Sequence, residues 1–208
     1  MCPTGPFTFL PIHSAGIYTD NREEQICFSD YAILSYTPTL ETLRNSQLPL
    51  SHREDFKMLA VIEPGSGRHH LPATETELER IKTHVPHDWL ITFGMKDSPS
   101  SVEKVLAALS TASFIHFACH GSQGFNNPLE SALILHDGHL KISQIMEQRM
   151  KTASLAFLSA CETAKGDNET PDEVMHLAAT LLFAGFHGVV GTMWYVQHFI
   201  RINALILV

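Results

Sequence analysis

Five short apolar runs recur along this chain, and they are apolar at consecutive rather than alternate positions. They cover residues 57–62, 89–93, 113–119, 154–160 and 188–192. A strand with one wet face alternates apolar and polar residues, whereas a strand covered on both faces reads as a continuous apolar run. Helical signals fall between the runs. Thr74-x-x-Glu77 and Ser100-x-x-Glu103 have capping-box spacing, and Leu78, Ile81 and Val85, then Val102, Val105, Leu106 and Leu109, follow with helical period. Thr170-Pro171-Asp172-Glu173 supplies a cap, a first-turn proline and two acids ahead of Val174, Leu177, Ala178, Leu181 and Leu182, with Gly185 at the far end. Strands alternating with helices predict an α/β fold, a mainly parallel sheet flanked by helices in three layers.

The remaining segments are less regular. Residues 7–12 are expected as a short strand and a buried loop, and residues 28–36 have mixed strand character. A short helix is expected over 39–44 and another over 142–150. Leu133 to Leu140 predicts a hairpin turning at Asp137-Gly138, with His136 and His139 solvated beside the turn. Residues 197–208 add no capped helix and read as a stub. With no internal repeat or linker, residues 1–208 are read as a single domain.

Composition narrows the function classes. The 208 residues carry 14 basic and 22 acidic side chains, a net charge of −8 with no basic stripe, which disfavours nucleic acid and anionic membrane as partners. No apolar run has the ~18 residues that spanning a bilayer takes. The N-terminus lacks the basic-then-apolar order of a signal peptide. The four cysteines, Cys2, Cys27, Cys119 and Cys161, follow no regular spacing and are read as reduced thiols in a cytosolic or nuclear setting, of which the cytoplasm is the expectation.

Two of the apolar runs end on reactive side chains: one at His120-Gly121, the other at Cys161. In open α/β sheets, sites form outside the carboxyl ends of strands. A free thiol of pKa about 8.5 is only a few per cent thiolate at neutral pH, so a neighbouring imidazole that removes its proton activates it. His120 is the candidate base and Cys161 the candidate nucleophile. The Gly121 N–H, beside a residue with no side chain in the way, is a candidate oxyanion donor, as is the N–H of Cys161. The reaction this suggests is acyl transfer to water through a thioester. From spacing alone, one Cys and one His at strand ends, among thirteen histidines, favour a buried structural thiol over a catalytic dyad.

The wording of the chain adds to the spacing. Phe117-Ala118-Cys119-His120-Gly121 and Leu158-Ser159-Ala160-Cys161-Glu162-Thr163-Ala164 resemble the two signature blocks of the CHAT domain, a caspase-like cysteine peptidase family related to caspases and separase. Further matching blocks are Phe9 to His13, Ser35 to Leu40, Pro72 to Leu78, Asp172 to Ala178 and Gly191-Thr192-Met193-Trp194. The wording is closest to CHAT domains of fungal type, which are often fused to tetratricopeptide repeats or signalling domains. The resemblance implies a caspase-haemoglobinase fold, His120 as base, Cys161 as nucleophile, and protein or peptide substrates cleaved in a regulatory pathway. Family members usually continue past the Trp with an aspartate-rich segment and a further helix, so the domain is expected to be incomplete after about residue 194. Two other readings stand beside the peptidase: a pseudo-peptidase or signalling module that binds without cleaving, and a truncated, inactive domain.

Other residues carry weaker signals. Asp137, Glu162 and Asp167, with Glu169 and Asp172, gather in sequence around the two candidate loops. They could line a pocket for a basic residue before the scissile bond, or be solvated loop acids. Cys119 points away from His120 on a strand and is read as core. His116 and His120 share a strand face and with Cys161 would give three zinc ligands, but a fourth is not evident and no cofactor is called for. His176 is read as a packing residue beside its helix's apolar face.

Overall fold

The structure is a computed structural model that describes residues 1–21, 24–46, 56–65, 70–122, 124, 127–148, 150, 153–159, 177–192 and 205–207. Its strands are β1 (Gly16–Ile17), β2 (Ile26–Cys27), β3 (Met58–Ile62), β4 (Leu90–Phe93), β5 (Phe114–Ala118), β6 (His120–Ser122), β7 (Ala132–Ile134), β8 (His139–Lys141), β9 (Leu155–Leu158), β10 (Gly188–Thr192) and β11 (Leu205–Leu207). Its helices are α1 (Leu40–Ser46), α2 (Ala73–His84), α3 (Val102–Leu109), α4 (Ile142–Met146) and α5 (Leu177–Phe183).

All five continuous apolar runs form strands of one six-stranded sheet, in the order β11-β10-β9-β5-β3-β4. The pairs β3–β4, β3–β5, β5–β9 and β9–β10 are parallel, and only β11 runs antiparallel, against β10. One row of sheet residues, Ile91, Leu59, Ile115, Ala156 and Val189, joins the larger core with Val105 and Leu109 of α3, Ile142 and Ile145 of α4, and Leu177 and Leu181 of α5. Ala60, Ile62 and Ala118 face the other way and pack with Leu78 and Ile81 of α2. Strands covered on both sides have no polar face to show, which is why their sequences do not alternate. The chain is thus a mixed α/β structure with a mainly parallel central sheet flanked by helices.

A second sheet, β6-β7-β8, is antiparallel and grows directly out of β5. Sequence suggested that the strand ends at His120-Gly121. Instead one residue, Cys119, separates β5 from β6, and His120 pairs with Ile134. The hairpin at Asp137-Gly138 forms as expected, with the Leu135 N–H donating to the Gly138 carbonyl at 2.8 Å.

Several local expectations give way. Residues 5–9 and 12–14 are 3-10 turns rather than a strand, consistent with a proline at the start of the first and Pro11 ahead of the second. Residues 28–36 form no strand: they open on a 3-10 turn at Phe28–Asp30, and the two-residue β2, paired with β1, lies just ahead of them. The helix after β8 ends at Met146, not Met150. The tail expected as a stub contributes β11, whose Ile206 pairs with Gly191.

Neither capping box forms. α2 is preceded by Pro72, Thr74 Oγ1 donates to the Leu71 carbonyl, and Glu77 faces the sheet. α3 is capped by Ser101, whose hydroxyl accepts from the Lys104 N–H, while Ser100 is buried. Glu77 and Ser100 are drawn off by partners elsewhere in the fold, which spacing along one helix cannot reveal.

Candidate active site

The site is built on the carboxyl ends of β5 and β9. These neighbouring parallel strands are in register with Phe117 opposite Leu158, and the Ser159 N–H donates to the Phe117 carbonyl at 2.7 Å. His120 stands three residues beyond Phe117, and Cys161 three residues beyond Leu158 in sequence. His120 is half-buried at the start of β6 and Gly121 is exposed. Cys161, Glu162, Asp167, Glu169, Asp172 and His176 lie outside the described residues.

The hydrogen-bond alternation of the small sheet orients Gly121. Leu135 and Ser131 bond toward the β8 side, through Gly138 and Ile142 respectively. Alternate residues of an antiparallel strand bond to opposite neighbours. Leu133 therefore bonds toward β8, and its partner in β6, Gly121, belongs to a non-hydrogen-bonded pair. The Gly121 N–H and carbonyl are turned away from β7, to the outer edge of β6.

The acidic candidate Asp137 has a defined place. It is exposed, and its Oδ1 accepts from the Val102 N–H at 2.9 Å, at the start of α3. The negative charge sits where the helix dipole favours it. Cys119 is fully buried in the larger core, in keeping with the core reading, and burial reinforced by the nearby Glu63 carboxylate pushes its thiol pKa far up. It is a neutral packing group.

Sequence reasoning missed the roles of two acids at this end of the sheet. Glu63 directly follows β3. Its N–H donates to the Ala118 carbonyl, and its Oε2 accepts from the Ser100 hydroxyl at 2.5 Å. Glu77 lies on α2 with its carboxylate forked between two strands: Oε2 is 3.0 Å from His116 Nε2, and Oε1 accepts from the Ser159 hydroxyl at 2.9 Å. A carboxylate only accepts, so the His116 Nε2–H is the donor in this bond. That ring also stacks on Phe157 of β9, with centroids 5.0 Å apart and planes at 20°. His116 thus has Glu77 at its Nε2 and Phe157 against its ring face. Among the described residues no group of three or more His, Cys, Asp or Glu side chains is placed to hold a metal ion. A histidine in the middle of a strand buried on both faces was the available signal, because a buried imidazole needs an acceptor.

A parallel sheet with these helices, and two strand ends presenting a His and leading to a Cys, define a caspase-like α/β fold. Solved structures share it. Gingipain R, an Arg-specific cysteine proteinase, superposes with a TM-score of 0.53 at 12% identity, covering 78% of this chain and 40% of that one. The pro- and mature-domain complex of RgpB from Porphyromonas gingivalis gives 0.51 at 14% identity, over 80% and 42% of the respective chains. The separase–securin complex of Saccharomyces cerevisiae gives 0.51 at 18% identity, over 78% of this chain and 10% of that one. The chain therefore spans well under half the length of these neighbours. The CHAT domain family matches residues 1–201, and the chain belongs to that family. A search of curated protein sequences returns no match. Among the described residues no helix is long and apolar enough to cross a membrane.

Proposed function

We propose that this is a cysteine endopeptidase domain in which Cys161 attacks the scissile carbonyl and His120 serves as general base, then general acid. The observation that carries the reading is the parallel register of β5 and β9, Phe117 opposite Leu158, which starts the two candidate segments side by side at one end of the sheet. In the proposed reaction the thiol proton passes to the imidazole and the thiolate sulfur bonds to the carbonyl carbon. The C–N bond then breaks as the imidazolium returns the proton to the leaving amine. Water, deprotonated by the same imidazole, releases the acid and restores the thiol. The outward Gly121 N–H supports its role as a donor to the oxyanion.

The substrate class we favour is a protein or peptide with a basic residue before the cleaved bond, on the strength of the acids that follow Cys161 in sequence. Asp137, as a cap on α3, contributes charge to the neighbourhood of β7 and β8 rather than a free carboxylate. The domain is proposed to act in the cytoplasm within a longer regulatory protein carrying repeat or signalling domains.

The test is labelling with peptidyl electrophiles ending in Arg or in Asp, read by mass spectrometry. Labelling of Cys161 that is lost in Cys161→Ala and in His120→Ala is expected. Equal labelling of wild type and Cys161→Ala defeats the nucleophile assignment and leaves the non-catalytic binding module. Preference for the Asp-ended probe overturns the basic pocket alone.

A further inference from the structure

We infer that Glu77 is a positioning residue: from α2 it fixes the carboxyl end of β9, and through it the nucleophile two residues further on. The inference rests on the reading of Cys161 as nucleophile. The ordinary role for an acid in the first turns of a helix is to face water near the positive end of the dipole. Glu77 instead turns to the sheet, with its side chain 24% exposed and its two oxygens on different strands, His116 of β5 and Ser159 at the end of β9. Both strands lead to candidate catalytic residues.

The geometry restrains the fork from several sides. His116 is held by its own buried strand and by stacking on Phe157, so it offers Glu77 a fixed donor. Ser159 is tied through its N–H to the Phe117 carbonyl and through its hydroxyl to Glu77. It stands two positions before Cys161 in sequence. Hydrogen bonds to a carboxylate are stronger and shorter than neutral ones, which suits them to hold a strand end. Displacing a reacting group by about 1 Å costs on the order of 100-fold in rate. In this scheme Glu77 takes no part as a reacting group. It acts by orienting the segment that carries one.

The experiment measures inactivation by an Arg-ended peptidyl electrophile, separating the limiting rate kinact from the binding constant KI. Glu77→Ala is expected to lower kinact by about tenfold or more with KI within about threefold. Glu77→Gln, which keeps an acceptor for Ser159, recovers most of the loss. Ser159→Ala, the deletion of one hydroxyl, reproduces the loss without endangering the fold, and the double variant with Glu77→Ala is no slower than the worse single. Hydrogen exchange over residues 154–163 is expected to accelerate in Glu77→Ala and Ser159→Ala but not in Glu77→Gln. Undiminished kinact in either alanine variant, failure of Gln to recover, or additive losses in the double variant overturns the inference. If wild-type Cys161 does not react at all, the nucleophile reading fails separately. The exchange measurement then decides alone, and equal exchange in wild type and Glu77→Ala overturns the positioning role.

Discussion

Phe117 and Leu158 face each other across β5 and β9, and the backbone bond from Ser159 to Phe117 closes the pair at 2.7 Å. That register sets both candidate catalytic residues three positions past one rung of the sheet. The backbone of His120 is held there by β6, which pairs it with Ile134. Replacing its side chain should therefore remove the base without unfolding the site. His120→Ala is expected to slow Cys161 labelling by about 10²–10⁴-fold, the usual worth of a positioned acid–base group. Its urea midpoint should stay near that of wild type, as read by circular dichroism.

The outward N–H of Gly121 makes a second prediction possible. A proline is tolerated in a strand where the lost N–H would have pointed away from the neighbouring strand, and the residue before a proline is biased to extended backbone. β6 meets both conditions, because Gly121 bonds away from β7 and His120 is itself in the strand. Gly121→Pro should thus keep the small sheet yet remove a donor to the oxyanion. The expected loss in turnover of a peptide substrate is on the order of 10²–10³-fold. Gly121→Ala, which keeps the N–H, should lose far less. Equal losses in the two variants would show that bulk at this position, not the donor, is what matters.

Five of the six strands of the main sheet were legible in the sequence and the small sheet only in part, for a physical reason. Five strands covered on both sides leave an unbroken apolar record, so β3, β4, β5, β9 and β10 were readable from residue type alone. His120-Gly121-Ser122 carries no such record, and β6 exists because β7 lies beside it. The site divides the same way. His120 and Gly121 are candidates that the motif singles out, while Glu77 was hidden inside a spacing that also suits a capping box. What separates the two readings is His116, whose burial demands an acceptor from α2.

Cys119 predicts a pH dependence. Its folded-state thiol is held neutral, first by burial and then by Glu63, whereas in the unfolded chain it ionises near the ordinary value of about 8.5. A folded pKa raised above the unfolded one contributes stability that is fully present below the unfolded value. That stability is lost as pH rises past it, at about 1.4 kcal/mol per unit for one group. Urea midpoints of wild type should accordingly fall between about pH 8.5 and 10.5 more steeply than those of Cys119→Ala. Below about pH 8 the two curves should run parallel. Native Cys119 should also resist alkylation at pH 8 until denaturant is added, since the thiolate is the reacting form.

Gly94 is a point where the sheet leaves no room. It has φ +97°, and a Cβ built there would lie 1.6 Å from the Ile62 carbonyl oxygen, at the end of β3. Its N–H is already committed to the Ser98 carbonyl at 2.7 Å, which fixes the turn after β4. Gly94→Ala therefore meets both a left-handed backbone and a backbone clash that no rotamer relieves. A destabilisation of about 3 kcal/mol or more is expected in urea unfolding, in the range kept for strained or overpacked sites. Since Ile62 is next to Glu63 and pairs with Ala118, the variant should also weaken Cys161 labelling.

Ser100 and Ser101 give a paired test of how the structure chose between adjacent hydroxyls. Spacing to Glu103 favoured Ser100 as the cap of α3. The fold uses Ser101 for the cap and buries Ser100, whose hydroxyl donates to Glu63 and whose oxygen lies 3.2 Å from the His136 N–H. Loss of a serine cap costs about 1 kcal/mol, and Val102 would still be served by Asp137. Loss of Ser100 instead leaves a carboxylate at the end of β3 without this donor, a cost of about 1–3 kcal/mol. Ser100→Ala should thus destabilise more than Ser101→Ala in urea unfolding. It alone should also alter the site, because Glu63 is bonded through its N–H to Ala118, two residues before His120. If Ser101→Ala is the more damaging of the two, the cap outweighs the buried bond and the assignment of Ser100 to the site is wrong.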